Sequence, residues 1–164
     1  MSENEERFIR RDRMRFTKNT LSSGLALLGI LFNVLYFVSI YRSDVGSYYY
    51  NILIGASILY NLIFMLTVFL CSEGVKNYNS VYACVLLVVG ALQILRIFIL
   101  PMQAHTAVAT INQQETIVMQ SAQFIRVVVY LVASAVCCLI AGVVGIQKSR
   151  ALAAHMATLE QKAA

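Results

Sequence analysis

Charge is scarce in this chain. Only 13% of its 164 residues are Asp, Glu, Lys or Arg, whereas a soluble domain carries about 25%. Hydrophobic residues make up 59%, and mean hydropathy is +0.71. A water-soluble fold of this length would have too little polar surface to cover so large a core. The surplus apolar surface must face lipid.

Acid–base groups are missing where membrane chemistry would need them. No Asp, Glu, Lys or His lies near the centre of any long apolar run. This argues against a proton-coupled pump, a metal transporter and an intramembrane hydrolase. General acid–base work needs such groups, and metal sites need clustered His, Cys or carboxylate ligands. Cys71, Cys84, Cys137 and Cys138 sit in or beside apolar segments and form no C-x-x-C pair. Cys137 and Cys138 would point about 100° apart on a helix, so all four read as small hydrophobes. No cofactor motif, Asn-x-Ser/Thr sequon or internal repeat is present. His105 and Glu115 are the acid–base candidates of one long connection, ten residues apart with no nucleophile set by a motif. The chain is therefore read as non-enzymatic, with no catalytic, metal or cofactor site.

What is present is four apolar runs, approximately 20–41, 47–71, 78–100 and 124–147, each 22 to 25 residues long. About 20 helical residues cross a hydrocarbon core of roughly 30 Å. Helices are required, because an open strand in lipid leaves backbone amides unpaired. The first run exceeds the roughly 7–15 residues of a cleavable signal core and lacks a small-x-small cleavage site after it. It reads as a retained span. Pro101 closes the third run, since proline removes an amide donor and clashes one turn back.

Cations set the expected orientation. Six of the thirteen Lys and Arg residues fall in the first eighteen positions, interleaved with Phe8, Ile9, Met14 and Phe16. The net charge of +5 therefore points to anionic headgroups, each cation contributing roughly 1 kcal/mol near the surface, and not to nucleic acid. With the N-terminus inside, the inner side holds ten cations and the outer side three, Arg42, Arg96 and Arg126. That excess favours both termini in the cytoplasm. Tyr41, Tyr48, Tyr49 and Tyr50 at the outer level, with Tyr78 and Tyr82 at the inner level, fit an interfacial aromatic belt.

The expected fold is all-α: a polytopic membrane protein, an antiparallel bundle of four transmembrane helices with N-in/C-in topology. Its parts are a basic cytoplasmic segment over 1–18, opened by a capping box at Ser2 and Glu5, a membrane domain over 19–147, and a cytoplasmic, helix-prone tail over 148–164. Short connections at 42–46 and 72–77 make successive helices neighbours. The longer connection, 101–123, is expected to form an extra outer helical segment. It either lies on its own bundle or docks a partner.

Polar residues inside lipid are the best guide to function, because each costs free energy unless it finds a partner. Asn33, Asn61 and Gln93 fall within roughly 6 Å of the midplane at 1.5 Å rise per residue. They are expected to bond between helices, or else to line a polar path. Arg96 and Arg126 reach a similar outer level, with Gln93 one turn below Arg96 and Tyr130 one turn below Arg126. These four residues are candidate contacts for an anion or a lipid headgroup, since arginine offers a planar donor fork. The competing reading is that both arginines snorkel to the outer headgroups. Ser134, Cys138 and Gly142, at i, i+4 and i+8, let a neighbouring backbone approach closely. That neighbour is another helix of the chain or a second subunit.

Two functions remain. One is a subunit or assembly partner of a membrane complex, placed in the plasma membrane and bound to another protein or to copies of itself. The other is a small oligomeric channel or transporter, for an anion, built around Arg96 and Arg126.

Overall fold

A computed structural model of the chain describes residues 18–40, 51–106, 108–111, 114–117 and 119–163. Four helices are long and apolar enough to span a membrane. They are α1 (Thr20–Ile40), α2 (Asn51–Lys76), α3 (Ser80–Ile99) and, after a short interlude, α5 (Ser121–Ala163). The basic N-terminal segment up to residue 17, its capping box and the 42–46 turn lie outside the described residues.

Side-chain exposure is inverted relative to a soluble bundle. Leu31, Leu59, Leu66, Leu95 and Val129 are more than half exposed, while Asn33, Gln93 and Ser134 are fully buried. Water would penalise that arrangement, whereas hydrocarbon favours it on both counts. The inversion supports the membrane assignment independently of helix length.

Partnered residues on neighbouring helices run in opposite chain directions. Near the start of α1, the Asn19 amide donates to the Lys76 carbonyl at 3.0 Å, and Ser23 and Ser72 share a hydroxyl bond of 2.9 Å. Further along α1, Asn33 meets Asn61. Against α5, Ser22 donates to the Ala141 carbonyl, while Gln123 donates to the Ser39 carbonyl at 2.9 Å. Asn19 also caps α1, its Oδ1 accepting from the Ser22 amide at 3.3 Å.

The turn from α2 to α3 is shorter than the 72–77 loop that composition suggests, because helix continues to Lys76. The amides of Asn77 and Asn79 close on the Gly74 carbonyl and that of Tyr78 on the Val75 carbonyl. Tyr78 takes a positive φ of 60°, the left-handed conformation that ends many helices but is uncommon for a bulky residue. Ser149 of α5 donates to the Tyr78 carbonyl at 2.8 Å, which ties this turn to the last helix. Asn79 caps α3 by accepting from the Val81 amide at 3.0 Å.

The 101–123 connection is helical only in its first residues and its last, where an extra helical segment is expected. Pro101 opens a short helix, α4 (Pro101–Thr106), where a missing amide costs nothing. Then β1 (Val108–Ile111) and β2 (Gln114–Ile117) pair antiparallel, Val108 opposite Ile117 and Ile111 opposite Gln114. The weak helical stripe of this segment loses to its β-branched content. Val108, Thr110, Ile111, Thr116 and Ile117 are restricted at χ1 in a helix and favoured in strands.

Helix α5 is 43 residues long, or about 64 Å at 1.5 Å per residue. It therefore exceeds a bilayer core of roughly 30 Å by about half its length. Gln147, Lys148, Ser149 and Arg150 mark where it leaves the apolar register.

Candidate functional site

Two apolar clusters fill the interior. One gathers Tyr36, Ile40, Met119, Val127 and Leu131. The other gathers Ala26, Phe64, Val68, Cys71, Val75, Ala83, Leu86, Cys138 and Ala141. On α1, α3 and α5 a layer of polar side chains lies between them in chain order, Asn33, Gln93 with Arg96, and Ser134, and Asn61 joins it from α2. All are buried.

The layer is one connected network. Gln93 donates through Nε2 to Asn33 Oδ1 at 2.9 Å and more weakly to Ser134 Oγ at 3.5 Å. Asn33 donates to Asn61 Oδ1 at 3.3 Å, and Asn61 donates to the Ser57 carbonyl at 3.0 Å. Ser134 donates to the Gly29 carbonyl at 2.8 Å. Arg96 completes it, its Nη1 donating to Asn61 Oδ1 at 2.9 Å. The three amides thus meet one another across α1, α2 and α3, and the serine links them to α5.

Arg96 is the unusual member. It is 7% exposed, and its guanidinium carbon lies 4.5 Å from the Tyr36 ring centroid and 4.7 Å from that of Tyr60. Both distances fall within cation–π range. Its Nη2 has no hydrogen-bond partner, and neither has Gln93 Oε1. Among the described residues no carboxylate pairs with it; the one described ion pair is Lys76–Glu73, exposed and 3.0 Å apart. An arginine so placed is costly unless something neutralises it.

Among the described contacts of Arg96, neither Arg126 nor Tyr130 is a partner. Arg126 is exposed and shares none of Arg96's contacts, while Tyr130 packs against the first apolar cluster. The residues that hold Arg96 are Tyr36 and Tyr60, which the sequence reading passed over. Their signal was available: each is a tyrosine deep in an apolar run, Tyr36 one turn from Asn33 and Tyr60 adjacent to Asn61.

The small-residue stripe of α5 faces other helices of the same chain. A Cβ on Gly142 would meet the Ala83 carbonyl oxygen at 2.8 Å, and one on Gly29 would meet Cys138 Sγ at 3.0 Å. His105 stacks on Phe124 with ring centroids 4.5 Å apart and donates from Nδ1 to the Met119 carbonyl at 3.2 Å. Glu115 sits in β2 opposite Thr110. No group of three or more His, Cys, Asp or Glu is placed to hold a metal among the described residues.

Beside Arg96 runs a cleft between α2 and α3, about 310 Å³ in volume, walled by Ala56, Tyr60, Leu92, Leu95 and Ile99. Four candidate spans, lipid-facing leucines and an interior polar layer define a multi-pass membrane protein. No known family, curated protein or solved structure matches the chain.

Proposed function

We propose that this chain is a non-enzymatic subunit or assembly partner of a membrane complex, with both termini in the cytoplasm. The observation that carries this reading is the last helix. It continues without a break for 43 residues, beyond the length that a bilayer core needs, and Arg150 and Met156 are exposed on it. An unbroken helix of that length, tied at its root to the Tyr78 turn by Ser149, is a stiff arm suited to docking. Isolated helices gain little stability without tertiary packing, so a partner along the arm would stabilise it. The excess of cations near this end, Lys18, Lys76, Lys148 and Arg150 together with the basic N-terminal segment, supports a cytoplasmic placement. The plasma membrane is the proposed site.

The alternative, an oligomeric anion channel using Arg96 and Arg126, has less support. The interior amides largely satisfy one another, and Arg126 does not join Arg96.

Native mass spectrometry after extraction in mild detergent tests the proposal. A second polypeptide at fixed stoichiometry, or a stable homo-oligomer, is expected, and truncation after Gln147 should release it without unfolding the bundle. A strictly monomeric full-length particle would contradict the reading.

A further inference from the structure

We propose that the α2–α3 cleft binds an anionic amphiphile: one acyl chain along the apolar walls, with its carboxylate or phosphate on Arg96. This is independent of the docking role above, and either can fail alone. Several observations converge on it. Arg96 is more than nine-tenths buried, lines the cleft and has Nη2 unpartnered. Its other nitrogen is committed to Asn61, and the two tyrosine rings fix the guanidinium plane. A planar fork held in this way is preorganised for an oxyanion, and charge-assisted bonds of that kind are the strong ones.

Apart from Ser57 and Tyr60, the remaining walls are hydrocarbon. Leu92, Leu95 and Ile99 are each nearly half exposed or more within the chain, so the cleft opens sideways to where acyl chains lie. Its volume of about 310 Å³ is at the lower end for a small-ligand site, roughly 300–1,000 Å³. A partner helix, 10–12 Å across with its side chains, is too bulky to enter it. An inorganic anion would leave the apolar walls unfilled. A molecule with an acid at one end and hydrocarbon along the rest matches both features.

The test uses the full chain in a neutral maltoside detergent, delipidated and titrated with oleate, dioleoyl phosphatidic acid or dioleoyl phosphatidylcholine. Binding is read by native mass spectrometry. One-to-one binding of an acidic probe, with phosphatidylcholine weaker by about tenfold or more, is expected. Preference between oleate and phosphatidic acid identifies whether the acid comes from a free fatty acid or a phospholipid. Arg96→Gln should weaken acid binding by a similar factor, and Arg150→Gln, on the projecting arm, should leave it unchanged. Ala56→Phe, which fills the cleft and leaves every charge in place, should also abolish binding; it decides the matter if Arg96→Gln fails to fold. Equal binding of all three lipids, or undiminished acid binding by folded Arg96→Gln and Ala56→Phe, would overturn the proposal. So would efficient crosslinking of Leu95→Cys to another polypeptide in place of lipid binding.

Discussion

The seam between α1 and α5 and the seam between α2 and α3 solve the same packing problem differently. Along α1–α5, small residues bring backbones together: Gly29 lies against Ser134 and Cys138, and Ser22 against Ala141 and Gly145. Hydroxyls there bond directly to carbonyls of the facing helix. Along α2–α3, contact is close near the Tyr78 turn, where Gly74 lies against Tyr82. Further along, leucines and a tyrosine hold the helices apart and leave the Arg96 cleft. Lipid supplies no hydrophobic drive for helices to associate, so close packing and interhelical bonds hold the first seam shut. The second is less closely packed beyond the Tyr78 turn, where the bond from Arg96 to Asn61 is its polar link and a guanidinium with no carboxylate partner among the described residues lines the cleft. The closed seam holds the bundle together, and the open one is the seam on which the lipid proposal rests.

Substitutions should separate the closely packed face of α5, which meets α3 as well as α1, from positions with open space, and the largest effect belongs to that face. A valine at Gly142 must displace backbone at Ala83 as well as the Leu87 side chain. Gly142→Val is expected to cost about 2–3 kcal/mol, as overpacking does in other close-packed interiors. Gly24→Val, where nothing lies within 4 Å, should change stability by less than about 0.5 kcal/mol. Reversible unfolding in detergent micelles reads both, and equal effects would mean that the close approach is not real.

Next comes the polar layer joining the seams. A double-mutant cycle on Asn33 and Gln93 should give a coupling of about 0.6–1.7 kcal/mol, the range seen for such bonds between membrane helices. Zero coupling would place the two amides apart. The smallest effect is expected at Arg96. Arg96→Met loses the Asn61 bond and two ring contacts but also removes a desolvated cation, so stability should move by less than about 1 kcal/mol in either direction. A loss as large as that of Gly142→Val would make Arg96 a structural keystone and argue against keeping it for a ligand.

Much of this was legible in the sequence, and the reasons differ by region. Four spans are readable because runs of more than 20 apolar residues have few alternatives in water or lipid. Asn33, Asn61 and Gln93 stand out for the converse reason, as rare amides in such runs. Their mutual bonds depend on which face each helix turns inward, which periodicity cannot fix when every face is apolar. The same limit explains Arg96. Depth along the chain suggested Arg126 as its neighbour, whereas helix rotation gives it Tyr36, Tyr60 and Asn61 instead. The 101–123 connection is the least legible part, because its weak helical stripe competes with β-branched residues that pair in a hairpin. The helical tail of α5 is legible as a helix-prone stretch, but its continuity with the span is not.

The most direct test of the central claim is sidedness. In a background with the four native cysteines replaced by alanine, single cysteines go in at Lys18, Asn77, Gln120 and Arg150, all exposed positions. Sealed vesicles are then treated with a membrane-impermeant maleimide, before and after permeabilisation. Four crossings predict that positions 18, 77 and 150 react from one face and position 120 from the other. Labelling of all four from the same face, or release of the chain from the bilayer by alkaline carbonate, would contradict the account.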